Sequence, residues 1–207
     1  MAQQIEQTVY IVDNDEAIRE AMAFLMESVG LPCKLYCSAQ EFLDDYSPQM
    51  SGCLVLDVRM PKMSGMELQQ KLNERQVSLP IIFISGHGDV PMAVKAMRQG
   101  AFDFIPKPFR DQELLDRINL ALEQEAQLRL VHQQLSQIKE RLATLTGRER
   151  EILDNIVMGK SNKLIAIELE LSQRTVEIHR ARVMEKMACD SLAELVHDIT
   201  LIKSADA

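Results

Sequence analysis

Four short apolar runs end in, or lead into, a polar side chain. TVYIV is followed by Asp13, with Asn14, Asp15 and Glu16 behind it, CLVL by Asp57, IIFI by Ser85, and AFDFI, after one proline, by Lys107. In an open parallel sheet, ligands bind beyond the carboxyl ends of the strands, where the strand order reverses. Two carboxylates at neighbouring strand ends can share a hard divalent cation, which takes oxygen ligands and keeps waters for a phosphoryl group. A hydroxyl and an ammonium facing them would hold phosphoryl oxygens. The residue types therefore suit phosphoryl chemistry beside a metal ion.

That chemistry requires a sheet, and the first 120 residues supply the pattern of one. Apolar runs at Thr8 to Asp13, Cys53 to Asp57, Ile81 to Ser85 and Ala101 to Ile105, with a weaker one at Lys34 to Tyr36, read as five strands. Their nearly continuous apolar character is that of parallel strands covered on both faces. Amphipathic stretches at about 15–29, 38–45, 64–75 and 89–99 separate them, with Gly30 and Gly100 as stops. Five such alternations predict a doubly wound parallel α/β sheet. From Asp111 to about Leu142 the pattern is helical without Gly or Pro. Within it Leu128, Val131, Leu135, Ile138, Leu142 and Leu145 recur at spacings of 3 and 4, either the seam of a short coiled coil or one helix packing on its own domain. An all-helical segment follows, interrupted at Gly159 and near Glu170 to Ser172.

Composition bounds what these elements belong to. The 207 residues are 46% hydrophobic and 26% charged, as in an ordinary globular protein of one or two domains. No run reaches the 18 or more apolar residues of a membrane span, and the amino terminus lacks a basic region followed by an apolar one. Four cysteines without CxxC spacing suggest neither a zinc site nor a disulfide framework, and place the expectation in a reducing cytoplasm. On a strand, Cys33 and Cys37 would stand about 13 Å apart. The net charge of −8 is uneven: residues 1–125 carry 11 Lys and Arg against 19 Asp and Glu, while residues 126–207 carry 12 of each. Overall acidity argues against a protein that coats nucleic acid but leaves a local basic surface open.

The strings LVLDVRMPKMSG (Leu54 to Gly65) and FISGHGDVPMAVKAMRQGAFDFIPKPF (Phe83 to Phe109) resemble the receiver domain of two-component response regulators, close to the NarL/FixJ group. The likeness spans residues 8–122. It implies that Asp57 accepts a phosphoryl group from a sensor histidine kinase as an acyl phosphate. By the same resemblance Ser85 binds a phosphoryl oxygen and Lys107 neutralises developing charge. Asp13, Asp57 and the backbone carbonyl of Arg59 hold Mg²⁺, and Phe104 is the aromatic switch residue. One position departs from the family pattern: the acid pair at the first strand end is Asp13-Asn14 here. Asn14 still offers an amide oxygen to the metal but removes one charge, which weakens Mg²⁺ binding unless Asp15 substitutes. His87, in the loop Gly86-His87-Gly88, contacts a partner or nothing.

In the carboxyl-terminal segment, LTGREREIL (Leu145 to Leu153) opens a helix with Glu149 and Glu151 in its first turn. Ser161 to Met187 then reads as two helices joined by a tight turn, a helix-turn-helix. Ser172 suits the N-cap of the second. On a helical wheel Val176, Val183 and Met187 share one face within about 40°, toward a core. The opposite face presents Arg174, Glu177, Ile178, Ala181 and Arg182, with His179 and Arg180 at its flanks. TGREREIL, SNKLIA, LSQRTVEIHR and EKM match the LuxR-type helix-turn-helix of the same NarL/FixJ group. The resemblance makes Ser172 to Met187 a recognition helix for double-stranded DNA, contacting it through Ser172, Arg174, Thr175, Glu177, Ile178, His179, Arg180, Ala181, Arg182 and Lys186. Ser161, Asn162 and Lys163 start the supporting helix beside the phosphate backbone. Glu177 replaces a lysine of several relatives, so their base preference does not transfer. Glu170 stands where glycine is commoner, and a left-handed backbone there would cost about 1 to 2 kcal/mol, unless the turn uses another conformation.

The sequence thus predicts a receiver over residues 1–125, a helical linker over 126–142 and a LuxR-type DNA-binding domain over 143–207. As a whole it reads as a cytoplasmic response regulator that dimerises on phosphorylation, binds promoter DNA and engages RNA polymerase. No second nucleophile, base or cofactor loop points to a standalone enzyme. Two other readings stay open: a DNA-binding regulator with a degenerate receiver controlled by a partner or ligand, and an adaptor whose tail binds protein.

Overall fold

A computed structural model describes residues 7–86 and 90–205. His87, and the expected start of the 89–99 helix, lie outside the described residues. The chain divides into two compact units, residues 1–128 and 129–207.

In the first unit, strands β1 (Thr8–Val12), β2 (Cys33–Tyr36), β3 (Gly52–Asp57), β4 (Ile81–Ser85) and β5 (Asp103–Pro106) form one parallel sheet ordered β2-β1-β3-β4-β5. Successive side chains of a strand point to opposite faces, so the apolar runs feed two cores. Tyr10, Val12, Leu54, Leu56 and Phe83 pack with Phe42, Leu68, Leu72 and Ala96 of helices α2 (Ala39–Asp45), α3 (Gly65–Glu74) and α4 (Val90–Arg98). Val9, Ile11, Val55, Ile82 and Ile84 pack instead with Met22 and Met26 of α1 (Glu16–Ser28) and Leu114 and Ile118 of α5 (Asp111–Ala143). Every residue of β3 and β4 is buried, which is why their sequences show no alternation.

Local signals set the helix starts. The side chains of Asp15, Ser38 and Ser64 accept from backbone amides of the first turns of α1, α2 and α3, and Ser64 with Glu67 completes a capping box. Strand β5 begins two residues later than the sequence pattern suggested, because the Ala101 amide donates to Ala96 O and closes the end of α4. At the carboxyl end of α5 in this unit, the buried Glu125 accepts from Ser51 Oγ (3.1 Å) and Gln7 Nε2 (2.7 Å).

The second unit contains α6 (Gly147–Val157), α7 (Asn162–Glu168), α8 (Gln173–Met187) and α9 (Leu192–Ala205) around one core. Here the coiled-coil expectation is corrected in part. Ile138 and Leu145 are buried and Leu142 packs against them, so the carboxyl-terminal half of the seam belongs to this core, while Leu128 and Val131 are exposed. Among the described residues, no helix is long and apolar enough to cross a membrane.

Candidate functional site

At the carboxyl ends of β1 and β3 the two predicted acids meet a single cation. Lys107 Nζ donates to Asp13 Oδ2 at 2.7 Å and to Asp57 Oδ1 at 2.9 Å. The remaining oxygens are held by the loops that follow each strand: Asp15 N donates to Asp13 Oδ1 and Arg59 N to Asp57 Oδ2. Each carboxylate is thus anchored on one oxygen by backbone and turned toward the lysine with the other. Asp13, Asp57 and Ser85 are 1%, 7% and 2% exposed, so the cluster is nearly dry. Ser85 ends β4, and its carbonyl accepts from Lys107 N at 2.8 Å, which ties the hydroxyl-bearing strand end to the lysine loop.

The backbone beneath Asp57 leaves no room for a side chain at position 65. A Cβ on Gly65 would lie 2.3 Å from the Asp57 carbonyl oxygen, so only glycine lets α3 start this close to β3.

Burial pushes the Asp57 carboxyl above the ordinary aspartate range, and the hydrogen bond and charge of Lys107 offset only part of that. For Lys107, burial opposes the charged form, yet the hydrogen bonds and charges of Asp13 and Asp57 outweigh it and raise its pKa. The two shifts have one origin, a buried cluster with two negative charges and one positive.

Other predicted residues lie nearby with different employment. Asn14 is exposed and lines an open cleft of about 770 Å³ with Ser38, Glu41 and Lys62. The Asp15 carboxylate caps α1. Phe104 packs against Phe83, ring centroids 6.2 Å apart, half-buried at the edge of the core. Sequence reasoning overlooked Arg19, whose Nη1 donates to the Asp13 carbonyl at 2.8 Å and steadies the end of β1. Its place one turn into the helix behind the acid was the available signal.

In the second unit, Ser172 caps α8 as expected, accepting from Thr175 N at 3.0 Å, and Ser161 caps α7. Val176, Val183 and Met187 are fully buried, so α8 turns Arg174, Glu177, Ile178, Ala181 and Arg182 to the exterior, with Thr175, His179 and Arg180 half-buried at its margins. Lys163 is exposed and Asn162 half-buried. Arg174, Arg180 and Arg182 make no ion pair or hydrogen bond among the described residues. By contrast Arg141, Arg148, Arg150 and Lys160 each bind a carbonyl or carboxylate.

Lys186, also expected among the DNA contacts, is tied within this unit. Its Nζ donates to Glu149 Oε2 at 2.6 Å and Thr144 O at 3.2 Å, clasping the end of α8 to the start of α6. Glu149 was read only as an acid in a first turn. It is buried, completes a capping box with Thr146, and is held down to about 2 chiefly by its hydrogen bond from Lys186. Glu170 does adopt a left-handed backbone, at φ 54°.

Comparison with known proteins decides what this pairing of units is. Residues 9–119 match the response regulator receiver domain, and residues 143–198 match the luxR family of bacterial regulatory proteins. The chain belongs to the response regulators. It is similar to the response regulator protein TmoT of Ectopseudomonas mendocina, 45% identical over 97% of this chain and 91% of that one. The transcriptional regulatory protein FixJ of Azorhizobium caulinodans is 45% identical over 96% and 94%. Among solved structures, the response regulator StyR superposes with a TM-score of 0.88 at 42% identity, covering 94% of this chain and 98% of that one. This response regulator therefore carries a receiver fold and a LuxR-type DNA-binding domain, and it regulates transcription.

Proposed function

We propose that this regulator is switched by phosphorylation of Asp57 by a sensor histidine kinase in the cytoplasm. The observation that carries the reading is the convergence of Asp13, Asp57 and Lys107 within 2.9 Å contacts at the carboxyl ends of β1 and β3. The Asp57 carboxylate attacks phosphorus, an O–P bond forms as the N–P bond of the donor phosphohistidine breaks, and the imidazole nitrogen leaves with the electron pair. Lys107 neutralises charge gathering on the phosphoryl oxygens, and the Ser85 hydroxyl binds one of them.

Response-regulator receivers generally bind Mg²⁺ at this site, and the residues here suit it. Asp13 and Asp57 already gather their oxygens on one cation, the lysine ammonium. Among the described residues no cluster of three or more His, Cys, Asp or Glu is arranged to hold a metal. Magnesium commonly takes one or two carboxylates and keeps its waters. The Arg59 carbonyl and the Asn14 amide are the remaining candidate ligands. The ion would supply charge neutralisation and orientation of phosphoryl oxygens.

Phosphorylation draws Ser85 and Phe104 inward, alters the surface of α4, β5 and α5, and promotes a homodimer. In that dimer two copies of α8 enter successive major grooves, with Arg174, Arg180, Arg182 and Lys163 near phosphates, and the bound regulator engages RNA polymerase. The receiver closes at residue 125 and the linker occupies 126–142. The hydrogen bonds of Glu125 to Ser51 and Gln7, which hold this turn of α5 to the sheet domain, support that division.

The test is intact mass with site mapping of wild type and Asp57→Asn after acetyl phosphate and Mg²⁺, followed by sizing. One phosphoryl adduct on wild type alone, with a monomer-to-dimer shift, is expected. No adduct at high Mg²⁺ would instead favour a degenerate receiver, the reading that exposed, neutral Asn14 supports.

A further inference from the structure

The outward face of α8 combines residue types that a merely solvated helix does not need. Arg174, Glu177, Ile178 and Ala181 follow i, i+3, i+4, i+7 spacing and share one stripe, opposite the buried Val176, Val183 and Met187. Glu177 has arginines three residues away on both sides, at 174 and 180, and pairs with neither. Ile178, with Ala181 beside it on the stripe, leaves 47% of its surface in water. No contact among the described residues accounts for the acid or for the exposed isoleucine.

A surface meant only to attract DNA would not carry a carboxylate at its centre, since a polyanion repels it. The carboxylate is tolerable where the groove wall offers a donor. In the major groove the cytosine amino group is such a donor, with only a ring C–H beside it. The adenine amino group lies beside the N7 acceptor, which repels a carboxylate, and guanine shows acceptors alone. Apolar side chains on the same stripe suit the only apolar group of that groove, the thymine methyl.

We propose that Glu177 reads a cytosine in each half-site, accepting a hydrogen bond from its amino group, and that Ile178 and Ala181 contact thymine methyls beside it. This rests on the reading of α8 as the DNA-reading helix and adds a base preference to it.

The experiment is selection from a randomised duplex pool with the full chain after acetyl phosphate treatment, for wild type and Glu177→Gln, followed by anisotropy titrations of the enriched duplexes at several salt concentrations. For wild type, one position per half-site should be fixed as C·G, with a loss of about tenfold on change to T·A. In Glu177→Gln that same position should change to A·T, because an amide both accepts and donates and pairs with adenine N6 and N7. The other positions should stay as they were. A purely electrostatic Glu177 gives a different result: the variant binds every duplex more tightly with the base ranking unchanged, which overturns the assignment and leaves the DNA-reading role of α8 standing. Absence of salt-dependent binding in both proteins overturns the assignment together with that role.

Discussion

Lys107 Nζ lies 2.9 Å from Asp57 Oδ1, yet the lysine does not fully compensate the acid it touches. The same ammonium is shared with Asp13 at 2.7 Å, so one positive charge serves two nearly buried negative ones. Burial therefore wins at Asp57 and its pKa rises. Keeping Asp57 ionised therefore costs free energy in the folded chain.

The first prediction concerns stability against pH. A carboxyl whose pKa is raised by folding destabilises the fold once pH exceeds its unfolded value, about 3.9, and the cost is fully present above the raised folded value. Asp57→Asn should therefore unfold at higher temperature than wild type at pH 7, with the gap closing as pH falls toward 4. Thermal scans across that range check it, and a gap that widens on acidification contradicts it.

Removing the shared cation acts in the opposite direction. In Lys107→Met, Asp13 and Asp57 are left buried together without a positive partner, a change expected to cost about 3 kcal/mol. Because the penalty arises from two facing charges, Asp57→Asn in the same chain should restore most of it. Urea melts of the two single variants and the double variant measure that coupling.

A second ion pair, Lys186 with Glu149, gives a separate pH signature. Glu149 is held down to about 2, chiefly by the Lys186 hydrogen bond, so it stabilises the fold above its unfolded pKa of about 4.3. That contribution is lost as pH falls through 4 toward 2. Glu149→Gln should lower the melting temperature of the DNA-binding domain at pH 7, and wild type and variant should converge near pH 2 to 3. The melting is followed by circular dichroism.

Most of the sheet domain was legible because parallel strands covered on both faces must be apolar throughout, and their ends are then the first polar residues after each run. Asp13, Asp57 and Ser85 stand out for that reason alone. The beginning of β5 was not legible, since only the Ala101 amide bond to Ala96 O shows that Ala101 still belongs to the end of α4. Spacing of 3 and 4 residues marked Ile138 and Leu142 as packed but cannot say against what, and the partner proved to be α6 to α9. The tie of Lys186 to Glu149 was not legible, because a charge count sees a lysine and not the buried Glu149 beneath it. The capping box from Thr146 to Glu149 was readable, and it would have pointed to an acid with structural duties.

The turn before α8 yields a prediction from backbone geometry. Glu170 sits at φ 54°, a conformation disfavoured for any residue with a Cβ, and it is exposed with no side-chain partner among the described residues. Glu170→Gly relieves that strain but gives the unfolded chain more freedom, so a net gain of about 1 kcal/mol is expected. Glu170→Ala should be near neutral, which separates the backbone effect from loss of the carboxylate. Chemical denaturation of all three proteins decides.

Asn14 is where the site departs from two adjacent acids, and the departure has a measurable sign. Asn14→Asp places a third negative charge at the end of β1, near Asp13 and Asp57, with Lys107 still the only ammonium bound to that pair among the described residues. Without a divalent cation, the added repulsion should lower the melting temperature slightly. With Mg²⁺ the same charge becomes an attraction of about 1 kcal/mol or more, on the order of fivefold in affinity. The variant should therefore show a larger Mg²⁺-induced rise in melting temperature than wild type, together with tighter Mg²⁺ binding by calorimetry. Carrying out both measurements on the Asp57→Asn background as well removes phosphorylation as a variable. Equal Mg²⁺ dependence in wild type and variant would mean that position 14 faces the open cleft in the metal-bound state too, and contributes nothing to the ion.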